Sequence, residues 1–340
     1  MTHGRRYMSV SRRTDTYCLG DNIVHYSVNE KALEIVKEIL DEKEELHCEV
    51  ETLANGTTVI DAGIKTEGTT ELGKLIGEVC LGGLGAVRMS QISIGNLALP
   101  AVIVGTDQPV IATLGSQYSG WTIHKGEFFA MGSGPARALA RVEKPLFEEI
   151  EYGDDFEAGV IVLETRDEPT VEVTDCISER CGIRPSELTC IVVPTASKAG
   201  SVQISARIVE VGMHKMHEVG IDIRNIRRGY GVAPIAPVME NDNRAMGASN
   251  DCILYGGRTF FYLREEDPRV ADSIERIPSS HSEQYGEPFY ELFESVDFDF
   301  YHVDPLLFSP AEVTITHMES RTILKAGGLN PTILKKSLNL

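Results

Sequence analysis

Residues 194–220 predict a helix that little water can reach. Gly200 and Ser201 occupy the place of a helix N-terminus, and Gly220 occupies that of a C-terminal stop. Between them, apolar residues recur at spacings of three and four, namely Val202, Ala206, Val209, Met213 and Met216. A second apolar strip adds Ile204, Ile208 and Val211. The stretch therefore predicts one amphipathic helix that is mostly buried.

A polar stripe runs along this otherwise apolar helix. It consists of Arg207, Glu210, His214 and His217. Arg207 and Glu210 are three residues apart, so their side chains are expected to touch, as in an ordinary helix salt bridge. Apolar surroundings make unneeded charges costly, and the Gly/Ser start of the helix can present free N–H groups to an anion, which favours a functional pair. The two histidines are interpreted as packing or rim residues rather than as metal ligands.

Residues 127–141 place a second loop of small residues before a helix. The Gly-Ser-Gly run at 132–134 predicts a tight turn after a strand, with Arg137 in the first turn of the helix that follows. A serine-hydrolase elbow would need glycine where Met131 stands, and no Asp and His stand out to complete a triad, so a nucleophilic Ser133 is the weaker hypothesis. Phosphate or carboxylate contact and a plain strand-to-helix turn remain equally open.

Apolar strands that alternate with loops and helices predict α/β layering. Ser27 or Asn29 caps a predicted helix, Asn55-Gly56 marks a hairpin, and residues 71–81 predict a second helix. Downstream, residues 229–251 predict a long structured loop. Its polar candidates are Asn241, Asp242, Asn250 and Asp251.

The chain has 340 residues, which is enough for two domains of ordinary size. Residues 143–157 are acidic and contain Pro and Gly, so they predict a surface connection. The expected organisation is an N-terminal extension over residues 1–26, a first α/β domain over 27–147 and a second over 148–340. The boundary is approximate, and either domain can be discontinuous.

The net charge limits the kinds of partner that this protein is expected to bind. A net charge of −19 argues against nucleic acid or an anionic membrane surface as a partner, and it suits a protein that stays soluble at high ionic strength. No apolar run approaches the roughly 20 residues that cross a bilayer. The seven cysteines form no CxxC pair, which favours free thiols in a reducing cytoplasm over disulfides or zinc.

Seven strings in this sequence closely resemble those of the methenyltetrahydromethanopterin cyclohydrolases of archaeal one-carbon metabolism. The strings are SVNE at 27–30, LGSQYSGW at 114–121, FAMGSGPARALA at 129–140, PTAS at 194–197 with GSVQISARIVE at 200–210, ENDNRAMG at 240–247 and YGEPFYELF at 285–293. The resemblance runs from about Ser27 almost to the C-terminus and leaves out the first 26 residues. It implies two α/β domains with the active site in the cleft between them, usually assembled as a homotrimer in the cytoplasm.

The same resemblance implies a reaction and a catalytic pair. The family interconverts the methenyl and N-formyl forms of tetrahydromethanopterin, or of its relative tetrahydrosarcinapterin, without a metal or redox cofactor. Its catalytic Arg and Glu fall on Arg207 and Glu210. Glu210 would take a proton from the attacking water and return it to the departing nitrogen, while Arg207 would orient Glu210 and support its charge. Arginine lowers the pKa of a neighbouring carboxyl, whereas burial raises it, and the sequence leaves that competition open.

The substrate is a hydrogen-bonding pterin plate with a long anionic tail, so polar loops are expected to hold it. The predicted substrate-binding residues are Ser133, Gly134, Arg137, Ser201, Gln203, Asn241, Asp242 and Asn250. Arg137 is the expected basic contact for the tail in so acidic a protein. Two alternatives are a non-catalytic pterin- or phosphate-binding protein, in which Arg207 and Glu210 are structural, and a serine amidohydrolase that uses Ser133.

Overall fold

Two six-stranded sheets organise the chain. The computed structural model describes residues 17–19, 22–24, 26–298 and 302–340. The strands are β1 (Tyr17–Leu19), β2 (Asn22–Val24), β3 (Glu49–Thr52), β4 (Thr58–Asp61), β5 (Gly85–Ile94), β6 (Leu97–Thr106), β7 (Trp121–Lys125), β8 (Phe128–Ser133), β9 (Gly159–Glu164), β10 (Leu188–Val192), β11 (Ile226–Pro234), β12 (Arg258–Leu263), β13 (Glu312–His317) and β14 (Ile323–Gly327). The helices are α1 (Val28–Asp41), α2 (Thr70–Cys80), α3 (Ala136–Ala140), α4 (Lys144–Glu149), α5 (Val171–Cys181), α6 (Lys198–Ser205), α7 (Ile208–Glu218), α8 (Asp242–Leu254), α9 (Pro268–Ser273), α10 (Phe289–Ser295) and α11 (Pro331–Leu338). Residues Val110–Gln117 form a π-helix.

The first sheet has the strand order β3-β4-β10-β9-β8-β7. Strands β4, β10 and β9 run parallel, and the remaining pairs are antiparallel. Side chains from α1, α2 and α6 pack on one face, and side chains from α3 and α5 pack on the other. The buried apolar strands and their helices confirm the predicted α/β layering.

The second sheet has the order β14-β13-β12-β11-β6-β5, with β12 and β13 parallel and the other pairs antiparallel. Its core includes α7 and the π-helix, and it also takes in buried residues of α1, α3 and α4. This core therefore includes residues of helices that also pack on the first sheet. The polar stripe of α7 lies beside it.

Each sheet draws on strands from both sides of the expected boundary at 147/148. Residues 159–192 pair in the first sheet with strands 49–61 and 121–133, whereas residues 85–106 pair in the second sheet with strands 226–234. These pairings do not by themselves divide the chain into domains, so the expected domain bounds stay a prediction. Of the expected N-terminal extension, residues 1–16, 20, 21 and 25 lie outside the described residues, and β1 pairs with β2 in antiparallel fashion.

Two further expectations concern the cysteines and membrane-spanning helices. The six cysteines whose side chains are described are free thiols, and the side chain of Cys18 lies outside that set. Within residues 26–298 and 302–340, no helix is long and apolar enough to cross a bilayer.

The predicted single helix over 194–220 is in fact two helices. The first begins at Lys198, because the Ser197 hydroxyl accepts a hydrogen bond from the Gly200 N–H at 2.9 Å, and the break falls at Ala206 and Arg207. The expected start at Gly200 and Ser201 is therefore wrong by two to three residues. The Ser201 N–H donates to the Ser197 carbonyl, so neither N–H group is left free for an anion.

Helices α2 and α6 approach closely through glycine. A Cβ atom on Gly73 would lie 2.7 Å from the Ala199 carbonyl oxygen, and one on Gly77 would lie 2.9 Å from the Ala206 Cβ. Any larger residue at either position would push the two backbones apart. This contact fixes α6 against the first sheet and sets where the chain continues into Arg207.

The predicted loop over 229–251 is wrong for most of its length. Strand β11 extends to Pro234, and α8 begins at Asp242, so only residues 235–241 connect them. The Asn241 side chain caps α8 by accepting from the Arg244 N–H at 3.0 Å. Small residues that suggested a loop instead let α8 pack closely, since a Cβ on Gly247 would lie 2.7 Å from that of Tyr290.

The acidic stretch over 143–157 is only partly a surface connection. It contains α4, and Asp154 is buried. The Asp154 carboxylate accepts hydrogen bonds from the Ser27 hydroxyl at 2.9 Å and from the Asn29 backbone at 3.0 Å. Since Ser27 is also the N-cap of α1, as predicted, this carboxylate fixes the start of that helix.

Candidate active site

The π-helix ends at the site and presents Gln117 to it. A π-helix is a wide turn that often marks functional positions. The Gln117 carbonyl accepts a hydrogen bond from Arg207 Nη1 at 2.7 Å, and the Gln117 side chain donates to the Ala206 carbonyl at 3.2 Å. Its Oε1 is buried without a partner among the described residues. The segment thus holds the break between α6 and α7.

Arg207 lies at that break, directly before the first residue of α7. It is 8% exposed, and its Nη2 donates to the Ser133 hydroxyl at 2.9 Å. The expected direct contact with Glu210 is wrong, because no ion pair in the described part of the chain joins the two side chains. The physical reason is the helix break: Arg207 adopts φ −79° and ψ 0° ahead of α7, so it does not follow the spacing of a continuous helix.

Glu210 lies in the first turn of α7 and is 5% exposed. In the described part of the chain, no side chain or backbone group donates a hydrogen bond to its carboxylate. Burial raises the pKa of Glu210 to about 7, and the positive charges of Arg207 and Arg137 oppose that rise. Burial therefore prevails over the arginines, which answers the question that the sequence left open.

Two stacked rings lie next to Glu210. Tyr118 follows the π-helix, and its ring centroid is 5.0 Å from that of His214, one turn after Glu210 on α7. Burial raises the pKa of Tyr118, and the charge of Glu210 adds to the rise. Burial lowers the pKa of His214. The pair offers a flat, half-buried wall beside a carboxylate.

Arg137 is completely buried. Its Nε donates to Glu143 at 2.9 Å, and its Nη1 donates to the carbonyls of Leu114 and Ser116 at 3.1 and 3.0 Å. Its guanidinium lies 5.1 Å from the centre of the Tyr118 ring. These contacts make it a support of the π-helix, and its burial argues against direct contact with a substrate tail, a role that stays a prediction.

Ser133 and Gly134 form the turn that the sequence predicts. Ser133 is 1% exposed, accepts from Arg207, and lies 3.7 Å from the Cys80 thiol. Gly134 has φ +95°, a conformation that favours glycine, and its N–H donates to the Ser116 carbonyl at 2.9 Å. None of the described histidines contacts the Ser133 hydroxyl, so the structure gives no support to a serine nucleophile.

Gln203 extends the polar stripe by one turn before Arg207 and meets a second carboxylate. Its Nε2 donates to Glu164 at 3.4 Å, and the Thr195 hydroxyl donates to the other oxygen of Glu164 at 2.7 Å. The Gln203 Oε1 and the Ser201 hydroxyl are buried and have no partner in the described ranges. Such unsatisfied buried groups are costly unless a ligand or water completes them.

The remaining predicted substrate contacts lie on α8. Asn241 caps the helix, and Asn250 donates to the Met246 carbonyl at 2.9 Å within the same helix. Asp242 accepts from the Ala196 N–H at 2.8 Å and pairs with Arg166, so it holds the loop before α6. Asp251 is buried, accepts from the Phe289 N–H, and has its pKa raised to about 7 by burial. Substrate contact by these residues stays a prediction.

Sequence reasoning missed three residues of the site, Gln117, Tyr118 and Glu164. The first two lie in the string LGSQYSGW, which carried part of the resemblance, but no periodicity announced a π-helix there. Glu164 ends a strand and gave no signal beyond its place after an apolar run. Among the described residues, no three His, Cys, Asp or Glu side chains are placed to hold a metal ion. The absence of a metal and of a cofactor stays a prediction.

Comparison with known proteins relates this chain to one family over nearly its whole length. The family model described as Cyclohydrolase (MCH) matches residues 27–338. The methenyltetrahydromethanopterin cyclohydrolase of Methanosarcina mazei is 45% identical over 316 residues, which cover 92% of this chain and 98% of that protein. The proteins of the same name from Methanococcus maripaludis strain C7 and Methanocaldococcus jannaschii are 45% and 43% identical, each with the same two coverages. The chain therefore belongs to the methenyltetrahydromethanopterin cyclohydrolase family, whose members are hydrolases of carbon–nitrogen bonds.

Proposed function

We propose that this chain interconverts 5,10-methenyl-tetrahydromethanopterin and its 5-formyl form, with Glu210 as the general base and without a metal or redox cofactor. The name shared by its relatives supports the substrate. The observation that carries the mechanism is the Glu210 carboxylate, buried beside Arg207 and Arg137 and left without a hydrogen-bond donor in the described residues. A base that no protein group occupies is free to take a proton from water.

The proposed hydrolysis has two steps. The methenyl carbon bridges two nitrogens and shares their positive charge, so water can add to it as Glu210 takes one water proton. In the resulting intermediate the carbon carries a hydroxyl group. The bond to one nitrogen then breaks as protonated Glu210 gives that nitrogen its proton. The hydroxyl proton passes to Glu210 and then to solvent, which leaves the formyl oxygen and releases one proton overall.

The arginines act on this cycle through charge and position. Arg207 is tied to Ser133 and to the Gln117 carbonyl, so its positive charge is fixed near the reaction without neutralising Glu210. There it can stabilise negative charge that develops on the attacking oxygen. Arg137 holds the end of the π-helix through its hydrogen bonds to the Leu114 and Ser116 carbonyls. In this account Arg207 supports the base without direct contact.

The proposal extends to assembly and location. We expect a homotrimer in the cytoplasm that takes a small pterin and neither nucleic acid nor membrane as a partner, as the family resemblance and the charge of −19 suggest.

The test is turnover of methenyl-tetrahydromethanopterin by the purified protein, followed by loss of the methenyl chromophore. Dialysis against a chelator before the assay tests metal independence in the same experiment. Turnover that survives chelation supports the proposal. Absence of turnover with intact binding would instead indicate a pterin-binding protein.

A further inference from the structure

The second carboxylate of the site, Glu164, is held quite differently from Glu210. The Thr195 hydroxyl donates to Glu164 Oε1 at 2.7 Å, and Gln203 donates to Oε2 at 3.4 Å. Each oxygen of a carboxylate can accept two hydrogen bonds, so both oxygens keep room for a further donor. The group is half-buried, so a ligand can reach it. It is an oriented pair of acceptors rather than a free base.

Glu164 belongs to the same polar surface as the catalytic pair. In the first sheet, Ser133 lies opposite Val162 and Met131 lies opposite Glu164, so Ser133 and Glu164 project from one face. Ser133 is the residue that holds Arg207. The charges of Arg207, Glu164 and Glu210 also all act on the buried Cys80 thiol, whose pKa is raised chiefly by burial. The two carboxylates therefore share one neighbourhood.

The polar surface that contains both carboxylates runs along α6 and α7. Gln203 marks the Glu164 end, Glu210 comes seven residues later, and His214 with Tyr118 marks the other end. Seven residues at the rise of a helix correspond to about 10 Å, which sets the order of the separation although the helix breaks at Ala206 and Arg207. A fused pterin plate whose reactive carbon lies at Glu210 spans a distance of the same order. A plate that lies along this surface has one end toward Glu164 and the other toward the stacked rings.

We propose that Glu164 binds the amino-pyrimidine edge of the pterin and thereby fixes the orientation of the substrate. This rests on the proposed function. A pterin presents two adjacent N–H donors there, the 2-amino group and the ring N3–H, and a carboxylate accepts such a pair with both oxygens. The Oε1 of Gln203 and the hydroxyl of Ser201, which have no partner among the residues that the structure describes, are further polar groups at this end. The aryl group on the opposite side of the reactive carbon then lies toward Tyr118 and His214.

Hydrogen-bond chemistry predicts that Glu164→Gln loses or inverts the preference for a 2-amino pterin over a 2-oxo pterin. The Glu164 carboxylate offers two acceptors, which match the 2-amino substrate and oppose an analogue with a 2-oxo group. In Glu164→Gln the amide offers one acceptor and one donor, which match the N3–H and 2-oxo groups of that analogue. Wild type should bind the 2-amino pterin about 10- to 100-fold more tightly than the 2-oxo analogue, as expected for hydrogen bonds to a charged group. The variant should lose this preference or invert it.

The experiment compares Kd and KM for the methenyl forms of both pterins with three variants of the full chain. Glu164→Gln tests the edge contact. Thr195→Val removes one donor from Glu164 and should weaken the preference while keeping its direction. Glu78→Gln is the matched control, since Glu78 is also half-buried and holds an internal hydrogen bond, to the Val87 N–H at 2.8 Å. It should keep the wild-type preference.

Two results would overturn the assignment. A wild-type protein that turns over both pterins equally shows that nothing in the site recognises the 2-amino group, and this result does not depend on any variant folding. A folded Glu164→Gln protein that keeps the wild-type preference shows that Glu164 only anchors Thr195. If wild type neither turns over nor binds the methenyl pterin, the proposed function itself fails, which is a separate outcome.

Discussion

Glu210 and Glu164 show how the same side chain acquires two different properties from its surroundings. Glu210 has no donor among the described residues and a pKa raised to about 7 by burial. Glu164 accepts from Thr195 and Gln203. A carboxylate that is buried and free of donors favours proton transfer, whereas one oriented by donors favours recognition. The different roles proposed for the two carboxylates follow from their hydrogen bonding rather than from residue type.

Replacement of Glu210 by Gln tests the base directly. The amide keeps the size of the side chain but cannot accept a proton from water, so kcat should fall by about 10²–10⁴. Binding of the cationic substrate should survive, weakened by the loss of a negative charge. Stopped-flow or steady-state turnover of the methenyl pterin measures the effect, with Glu78→Gln as the control. Near-native turnover would place the base elsewhere, and His214 would be the next residue to replace.

Arg207→Ala should also slow turnover, because a fixed positive charge beside the reaction is lost. In the proposed mechanism both residues serve one water, so the double variant with Glu210→Gln should be little worse than the worse single variant. The measurement is a double-mutant cycle on kcat. Losses that multiply independently would show that Arg207 and Glu210 do not act as a unit.

The pH dependence of hydrolysis should report Glu210. Its carboxyl must be ionised to act as a base, and its pKa is raised to about 7, so kcat/KM should fall as the pH drops below about 7 and level off above it. Arg207 lowers this pKa, so Arg207→Ala should move the acid limb to higher pH. Profiles of kcat/KM for wild type and the variant provide the check. A limb that stays in place would separate Arg207 from the titration.

At the scale of helices, the contact between α2 and α6 allows a stability prediction. In Gly73→Ala the added methyl group would meet the Ala199 carbonyl oxygen at 2.7 Å, and backbone cannot move aside as a flexible side chain can. Overpacking of this kind costs about 1–3 kcal/mol. The shift of the urea unfolding midpoint measures it, with Gly328→Ala as the control because its Cβ would meet open space. Equal midpoints would mean that the two helices move apart without cost.

Local chemistry explains which elements the sequence could predict. The Ser27 cap of α1, the hairpin at Asn55-Gly56 and helix α2 each depend on neighbouring residues, and all three are confirmed. The break before α7 was missed because it depends on Arg207 bonding to Gln117, which is 90 residues away in sequence. Helix α8 was missed for a similar reason, since its small and polar residues become helical by packing against α10. Long-range contacts, not propensity, decide these elements.

The candidate site likewise combines residues that the sequence could predict with contacts that it could not. A polar stripe on an apolar helix drew attention to Arg207 and Glu210, because charges at buried positions are costly without a use, and the family resemblance supplied their proposed catalytic role. The partners of Arg207 could not be predicted, since they come from the π-helix and from β8. Arg137 was expected as the basic contact for the anionic substrate tail, yet it is buried among carbonyls and rings. The sequence pattern identifies charged residues whose burial is costly, and the fold decides which groups they contact.

At the scale of the whole molecule, the net charge of −19 predicts that salt stabilises the protein. Self-repulsion among so many carboxylates opposes the compact state, and assembly of three copies would add to it, so screening should favour both folding and the expected trimer. The melting temperature should rise along a potassium phosphate series, and the trimer should persist in sedimentation at high salt.

Phosphate also strengthens apolar burial because it is excluded from protein surfaces. A parallel series in potassium chloride at equal ionic strength separates this effect from screening, since chloride screens charge with little exclusion. If charge repulsion is the cause, most of the rise should appear in both salts and level off once the Debye length falls to about 3 Å near 1 M. A rise confined to phosphate would assign the stabilisation to apolar burial instead. A melting temperature that stays flat or falls in both salts, or a monomer at every salt concentration, would contradict the prediction.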